Sequence, residues 1–264
     1  MAEQPNPYAA PASRVDDVAT TPVSIRLIPG GRSVPAGNGW QWLVQGWELF
    51  KRNPGGWILI FIIFFAIVML CSWVPLIGFV ATYVLTPILL GGVMAGCAAL
   101  ERGEQIEASH LFAGFRERTS SLVIVGLLYL AGILAILMVV GLAFGFSLVP
   151  IFLGQPQPDL AAALGILLLA SLVLLALSIP LLMAMWFAAP LVMLHDVRPV
   201  DAFKASFFGC LKNVVPFLVY GVIAFVAAIV ASLPLMLGWL VLGPVIMGSI
   251  YVGYRDIFTE PGAA

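Results

Sequence analysis

Uncharged apolar positions along this chain run in blocks too long for a soluble core. No residue is charged between Arg52 and Glu101, from Thr119 to Pro158, from Leu160 to Leu194, or from Asn213 to Tyr254. A helix that crosses a bilayer needs about 20 apolar residues, so turn signals must divide the longer blocks. Pro75-Leu76-Ile77-Gly78 splits the first into 56–74 and 78–99. The second supplies 121–148 and the third 161–193. Ser232-Leu233-Pro234 splits the fourth into 214–232 and 235–254, which makes six predicted spans. Each must be a helix, because hydrocarbon offers no partner to an unpaired backbone group and the alternating strands of a barrel are absent. The 160–194 block would run on the order of 50 Å as one straight helix, so a kink or an extension beyond the membrane is expected there. It contains Pro180 and Pro190.

The charged residues then fix an orientation. In a six-span chain, the turns near 74–78, 149–160 and 232–235 share one side and carry no Lys or Arg. All 12 basic residues fall on the other side. They are Arg14, Arg26, Arg32, Lys51 and Arg52 before the first span, Arg102, Arg116 and Arg118 after the second, Arg198, Lys204 and Lys212 after the fourth, and Arg255 at the end. Cytoplasmic loops hold the excess of Lys and Arg, so both termini are expected in the cytoplasm.

The same pattern repeats three times. Each unit opens with an amphipathic basic segment: Trp40 to Arg52, His110 to Arg116, and Asp201 to Lys212. A span follows and closes in a Ser…Pro…Gly turn, at Ser72–Gly78, Ser147–Gly154 and Ser232–Gly238. The returning span carries an internal proline, Pro87, Pro180 or Pro244, each an expected helix kink. The middle unit is longer, with 30 residues between Pro150 and Pro180 against 12 and 10 in its counterparts. The expected fold is therefore all-α: six transmembrane helices as three repeated hairpins, each preceded by a short amphipathic cytoplasmic helix. A disordered cytoplasmic tail is expected over 1–38, the membrane domain over 39–255, and a short cytoplasmic tail over 256–264.

The amphipathic segments admit two readings. One makes them interface anchors: Trp40, Trp42, Trp47, Phe50 and Phe203 at the apolar boundary, with Lys51, Arg52, Lys204 and Lys212 against anionic headgroups. The other makes them a docking surface for a partner. Small-residue pairs at Gly92/Gly96, Gly141/Gly145 and Ser249/Gly253 suit close helix approach, within the chain or between copies.

Composition agrees with a membrane solvent. AVILMFWYC residues make up 62% of the 264 and charged residues 9%, against roughly 45–50% and 25% in soluble domains. The mean hydropathy is +1.08. Residues 1–39 hold no apolar core of a cleaved signal peptide. The three cysteines, Cys71, Cys97 and Cys210, lack C-x-x-C spacing and read as small buried hydrophobes.

Little in the sequence points to chemistry. His110 and His195 lie beside Glu107 and Asp196, too few ligands for a metal. Glu101, Glu104 and Glu107 read as a solvated helix face. Ser171, Ser178 and Thr86 lack a positioned base, and no H-E-x-x-H, Walker or G-x-S-x-G motif occurs. The basic residues are too few and dispersed for nucleic acid. No ionisable residue falls inside a predicted span, which argues against proton-driven transport.

Gly39 to Pro54, Leu111 to Arg116, and Ala189 to Val192 with Asp201 to Ser206 resemble a family of uncharacterised bacterial inner-membrane proteins. They are similar, more loosely, to the membrane domain of some glycerophosphodiester phosphodiesterases, whose catalytic barrel this chain lacks. The resemblance covers about 39–255 and implies a multi-pass protein of the bacterial inner membrane, with no activity to carry over. The expectation is a non-enzymatic structural or accessory protein that meets lipids, a membrane-protein partner or a second copy, with no cofactor. The alternative is a channel or carrier for a neutral or amphipathic solute, its prolines breaking helices around a site.

Overall fold

The computed structural model describes residues 26–148 and 159–260, and they are helical almost throughout. The first helix, α1 (Asn38–Arg52), leads into α2 (Pro54–Ser72). Asn53 caps α2 by accepting from the Gly56 N–H at 3.1 Å, and Pro54, which has no N–H to satisfy, takes the first position. A tight turn reverses the chain into α3 (Ile77–Glu101). The second amphipathic segment forms two single-turn helices, α4 (Ala108–Leu111) and α5 (Gly114–Glu117). They lead into α6 (Thr119–Phe144), which ends in a 3-10 turn at Gly145–Leu148. The expected long middle turn, including Pro150 and Gly154, lies outside the described residues.

The fourth expected span is two helices, α7 (Leu160–Trp186) and α8 (Ala188–His195). The break falls at Phe187 and not at Pro180, because the Phe187 N–H donates to the Ser206 hydroxyl at 2.9 Å and so leaves the helix ladder. The helix runs through Pro87, Pro180 and Pro244 without interruption. Asp196, in the left-handed region at φ 55°, stops α8. Then come α9 (Pro199–Lys212), α10 (Val214–Ser232) and α11 (Trp239–Phe258).

Five of these segments are long and apolar enough to cross a membrane: Pro54–Ser72, Ile77–Glu101, Thr119–Phe144, Ala161–His195 and Val214–Ser232. The sixth expected span, 235–254, is displaced toward the C-terminus as α11 and does not meet that standard. Its Gly, Ser and Tyr residues are buried against other helices, so its composition answers to packing and less to lipid.

The buried side chains gather at one end of the bundle. They come from α1, from α3 beyond Pro87, from α8, and from α11 beyond Gly243. In α6 only Leu122, Val125, Gly126 and Leu130, all near its start, are buried. At the far end the hairpin tips expose Trp73, Leu76 and Leu235, the last at 91%. Around the bundle, α10, α11, α2, α3, α6 and α7 pack in that order, and no extended backbone contact closes the circuit from α7 to α10.

Two expected boundaries change. The tail expected over 1–38 loses 26–37 to the fold: this strap is stitched across the ends of α9 and α11, with Leu27 bridged to Thr259. The C-terminal tail expected from 256 loses Asp256, Ile257 and Phe258 to α11.

Candidate functional site at the packed end

Each amphipathic segment lies against a returning helix that precedes it around the ring. Helix α1 runs along α11, α4 and α5 lie on α3, and α9 packs on α7. The close approach requires a small residue in each case. A Cβ on Gly46 would lie 2.6 Å from the Val245 carbonyl oxygen, and one on Gly114 would lie 2.3 Å from that of Ile88. In α9 the small residue is Ser206, whose hydroxyl donates to the Met183 carbonyl at 2.6 Å. These three oxygens sit just past Pro244, Pro87 and Pro180.

The residue that ends each segment then clasps the next linker. Arg52 donates to the Leu100 carbonyl at 3.1 Å, and Asn53 to those of Ile106 at 3.1 Å and Gln105 Oε1 at 2.9 Å. Arg118 pairs with Asp196 at 2.8 Å. Lys212 donates to the carbonyls of Gly30 and Gly31, both at 3.0 Å. Asn213 is wholly buried and fully used: it accepts from the Val34 N–H at 2.8 Å and donates to Arg32 O at 2.9 Å and Gly209 O at 2.8 Å. A buried carboxamide satisfied in this way costs little, whereas an orphaned one costs about 1–3 kcal/mol.

A cleft of about 670 Å³ opens between the strap, α1, and the ends of α3 and α11. Asp256 anchors one wall. Its carboxylate accepts from Arg32 Nη2 at 3.0 Å, Asn38 Nδ2 at 2.7 Å and Trp42 Nε1 at 2.9 Å, and its carbonyl accepts from Arg32 Nε at 2.6 Å. Glu101 anchors the other, accepting from Tyr251 at 2.7 Å and from Arg255. Gln41 and Gln45, one helical turn apart on α1, line the space between. Both carboxylates are committed to cations, and the cleft is otherwise lined by Gln41, Gln45, Thr259 and Glu260, so it can hold polar groups.

The predicted anchors part into two groups. Trp40 and Trp47 are exposed, as are Lys51, Arg52, Lys204 and Lys212, while Phe203 is half-buried. Trp42 and Phe50 are buried, Trp42 with its ring 5.2 Å from Phe217. Of the small-residue pairs, Gly92/Gly96 meets α4 and its approach, and Ser249/Gly253 meets α1. Among the described residues, a Cβ added to Gly141 or Gly145 would meet nothing within 4 Å. His110 caps α4 by accepting the Glu107 N–H at 3.0 Å, and His195 contacts the Tyr254 hydroxyl. Among the described residues no cluster of His, Cys, Asp or Glu could hold a metal ion.

Sequence reasoning missed Glu101 as a structural group, because its spacing with Glu104 and Glu107 imitates a solvated face. Glu104 does behave that way: it is fully exposed, and its hydrogen bond from Arg102 lowers its pKa below the usual carboxylate value. Asp256, Asn213 and the strap carried no local signal, since their partners lie more than 170 residues away.

Over 257 residues the chain is 32% identical to a "Probable inner membrane protein" of Burkholderia thailandensis, covering 87% of this chain and 95% of the relative. The chain belongs to this inner-membrane protein family. Its membrane-length helices are those of an inner-membrane protein, and a hydrocarbon surround accounts for their exposed Leu, Ile and Phe side chains. The relative's name says nothing of phosphodiesterases. No protein-family model matches this inner-membrane protein, and no solved structure does.

Proposed function

We propose that this inner-membrane protein is a non-enzymatic, six-span structural or accessory protein, with both termini in the cytoplasm, that engages membrane lipid through its amphipathic helices. The reading takes α11 as the sixth span and divides the chain into three hairpins, each opened by its amphipathic segment. Its main support is the cyclic clasp: Arg52 with Asn53, Arg118, and Lys212 with Asn213 each hold the linker that leads into the next unit. The clasps draw basic residues together, and the positive-inside rule supports reading that end as cytoplasmic. They also separate cations bound into the fold from those available to headgroups. Lys51 and Lys204 are exposed outside the clasps; Lys51 lies one turn from the exposed Trp47 and pairs at the surface with Glu48 at 2.9 Å. Lipids are the expected partners, together with a membrane-protein partner or second copy; no cofactor and no nucleic acid enters the reading.

Two experiments test it. Alkaline phosphatase fused after Pro75 or Leu235 should be active, and after Ala264 inactive; the reverse result overturns the orientation. Lys51→Gln/Lys204→Gln should lose retained anionic phospholipid in native mass spectrometry while the thermal midpoint stays put. Unchanged anionic-lipid retention removes the headgroup contact.

A further inference from the structure

The circuit of helices has one seam. Between α7 and α10 runs a slot of about 250 Å³. One wall is Ile179, Leu182, Met183 and Trp186, which fall on a single helical stripe of α7. Over seven residues that stripe is about 10 Å long. Val214, Phe217 and Leu218 of α10 form the other wall, and Cys210 of α9 is at the end nearest the clasps. Trp186 closes the inner side, its ring edge-on to Phe217 at 5.8 Å and to Tyr220 at 6.1 Å, backed by Trp42.

The slot's chemistry narrows its occupant. The Met183 carbonyl on its wall already accepts from Ser206 at 2.6 Å and Cys210 at 3.5 Å. Water needs two or more polar partners, and a lining of apolar side chains with one indole N–H and one thiol engaged elsewhere does not supply them. An empty slot would forfeit the dispersion contacts of both walls. Both walls belong to membrane-length helices, and the slot continues outward into their exposed faces at Ile179, Leu182 and Leu218. What meets it is hydrocarbon chain. We propose that the slot holds a single acyl chain of a phospholipid from the cytoplasmic leaflet, filling the seam between the second and third hairpins as a structural element. This rests on the orientation given under Proposed function, which places Cys210 and Val214 at cytoplasmic-leaflet depth.

The test uses purified protein reconstituted in vesicles of phosphatidylcholine or of phosphatidylglycerol, each then stripped in maltoside detergent. Native mass spectrometry should find a single phospholipid retained by the wild type, whatever its headgroup charge. Leu218→Trp, a change at an exposed position that fills the slot, should abolish that retention. Equal retention in both overturns the proposal. A wild-type dimer that Leu218→Trp dissolves also overturns it and makes a second copy the occupant. A second measurement needs no slot-filling variant. In vesicles with acyl chains dibrominated near the carbonyl, then carried through maltoside detergent into unbrominated vesicles, wild-type fluorescence should keep a quenched component that Trp186→Phe lacks. Full recovery of wild-type fluorescence after that transfer overturns the slot. Headgroup-independent retention distinguishes this result from the Lys51/Lys204 experiment, so either can fail alone.

Discussion

The packed end of the molecule and the far half of its middle hairpin are both helical, yet they solve different problems. At the packed end, helices approach through Gly46, Gly92, Gly114 and Ser206, and the charged groups are stitched into linkers. In the far half of α6 and α7, Leu134, Leu137, Leu142, Leu167 and Leu168 stand exposed, and among the described residues a Cβ added to Gly141 would meet nothing within 4 Å. Lipid tails are as apolar as leucine, so burial drives nothing there, and structure comes from the helix hydrogen bonds alone. Small residues and satisfied polar groups, more than hydrophobicity, mark where this chain holds itself together.

Substitutions can break that contrast, and the largest effect is expected at Asp256. Asp256→Ala leaves Arg32, Asn38 and Trp42 without their shared acceptor, and should cost about 3 kcal/mol, read as a large drop in thermal midpoint in mild detergent. Gly46→Leu comes next, at about 2 kcal/mol, because the added carbons must push α1 off α11. Its counterpart Gly141→Leu should leave the midpoint unchanged; an equal loss at both glycines would abolish the distinction between the two regions. Leu76→Gly should raise the midpoint, by about 1 kcal/mol. Leu76 sits at φ 62° and ψ −61° in a three-residue turn where Ile77 donates to Pro75 at 2.7 Å, a strained conformation that glycine adopts freely. The smallest effect concerns Glu104. Its folded pKa is depressed, so its contribution is present above the unfolded value and is lost as pH falls through the folded one. Glu104→Gln should flatten the midpoint's slope in that acid window and lower the neutral-pH midpoint slightly, by the small contribution that the exposed Arg102 pair makes there.

How much of this could be read in advance follows from the range of each interaction. Helix α10 occupies Val214–Ser232, the interval marked by uncharged sequence between Asn213 and a Ser-Leu-Pro turn, because both limits are local. A kink or extension was expected in the fourth span, which holds Pro180 and Pro190; its place, Phe187, three residues before Pro190, was not legible, because the Phe187 N–H donates to Ser206, 19 residues on. Trp42 looked like a sibling of Trp40 and Trp47, and the positions of α10 and α11 turn it inward. The cleft required Arg32, Glu101 and Asp256 together, and no spacing rule joins residues so far apart.

The clasp also bears on how the chain is made. Helix α1 leaves the ribosome first, yet the surface it packs on, α11, begins at Trp239, nearly the whole chain later. At about 5–20 residues per second the gap lasts on the order of ten seconds or more. Through that interval the small-residue face of α1 at Gly46 waits for its counterpart, and Trp42 lacks the Asp256 carboxylate that accepts from its ring nitrogen. Synthesis of α11 thereby sets the moment at which α1 can dock.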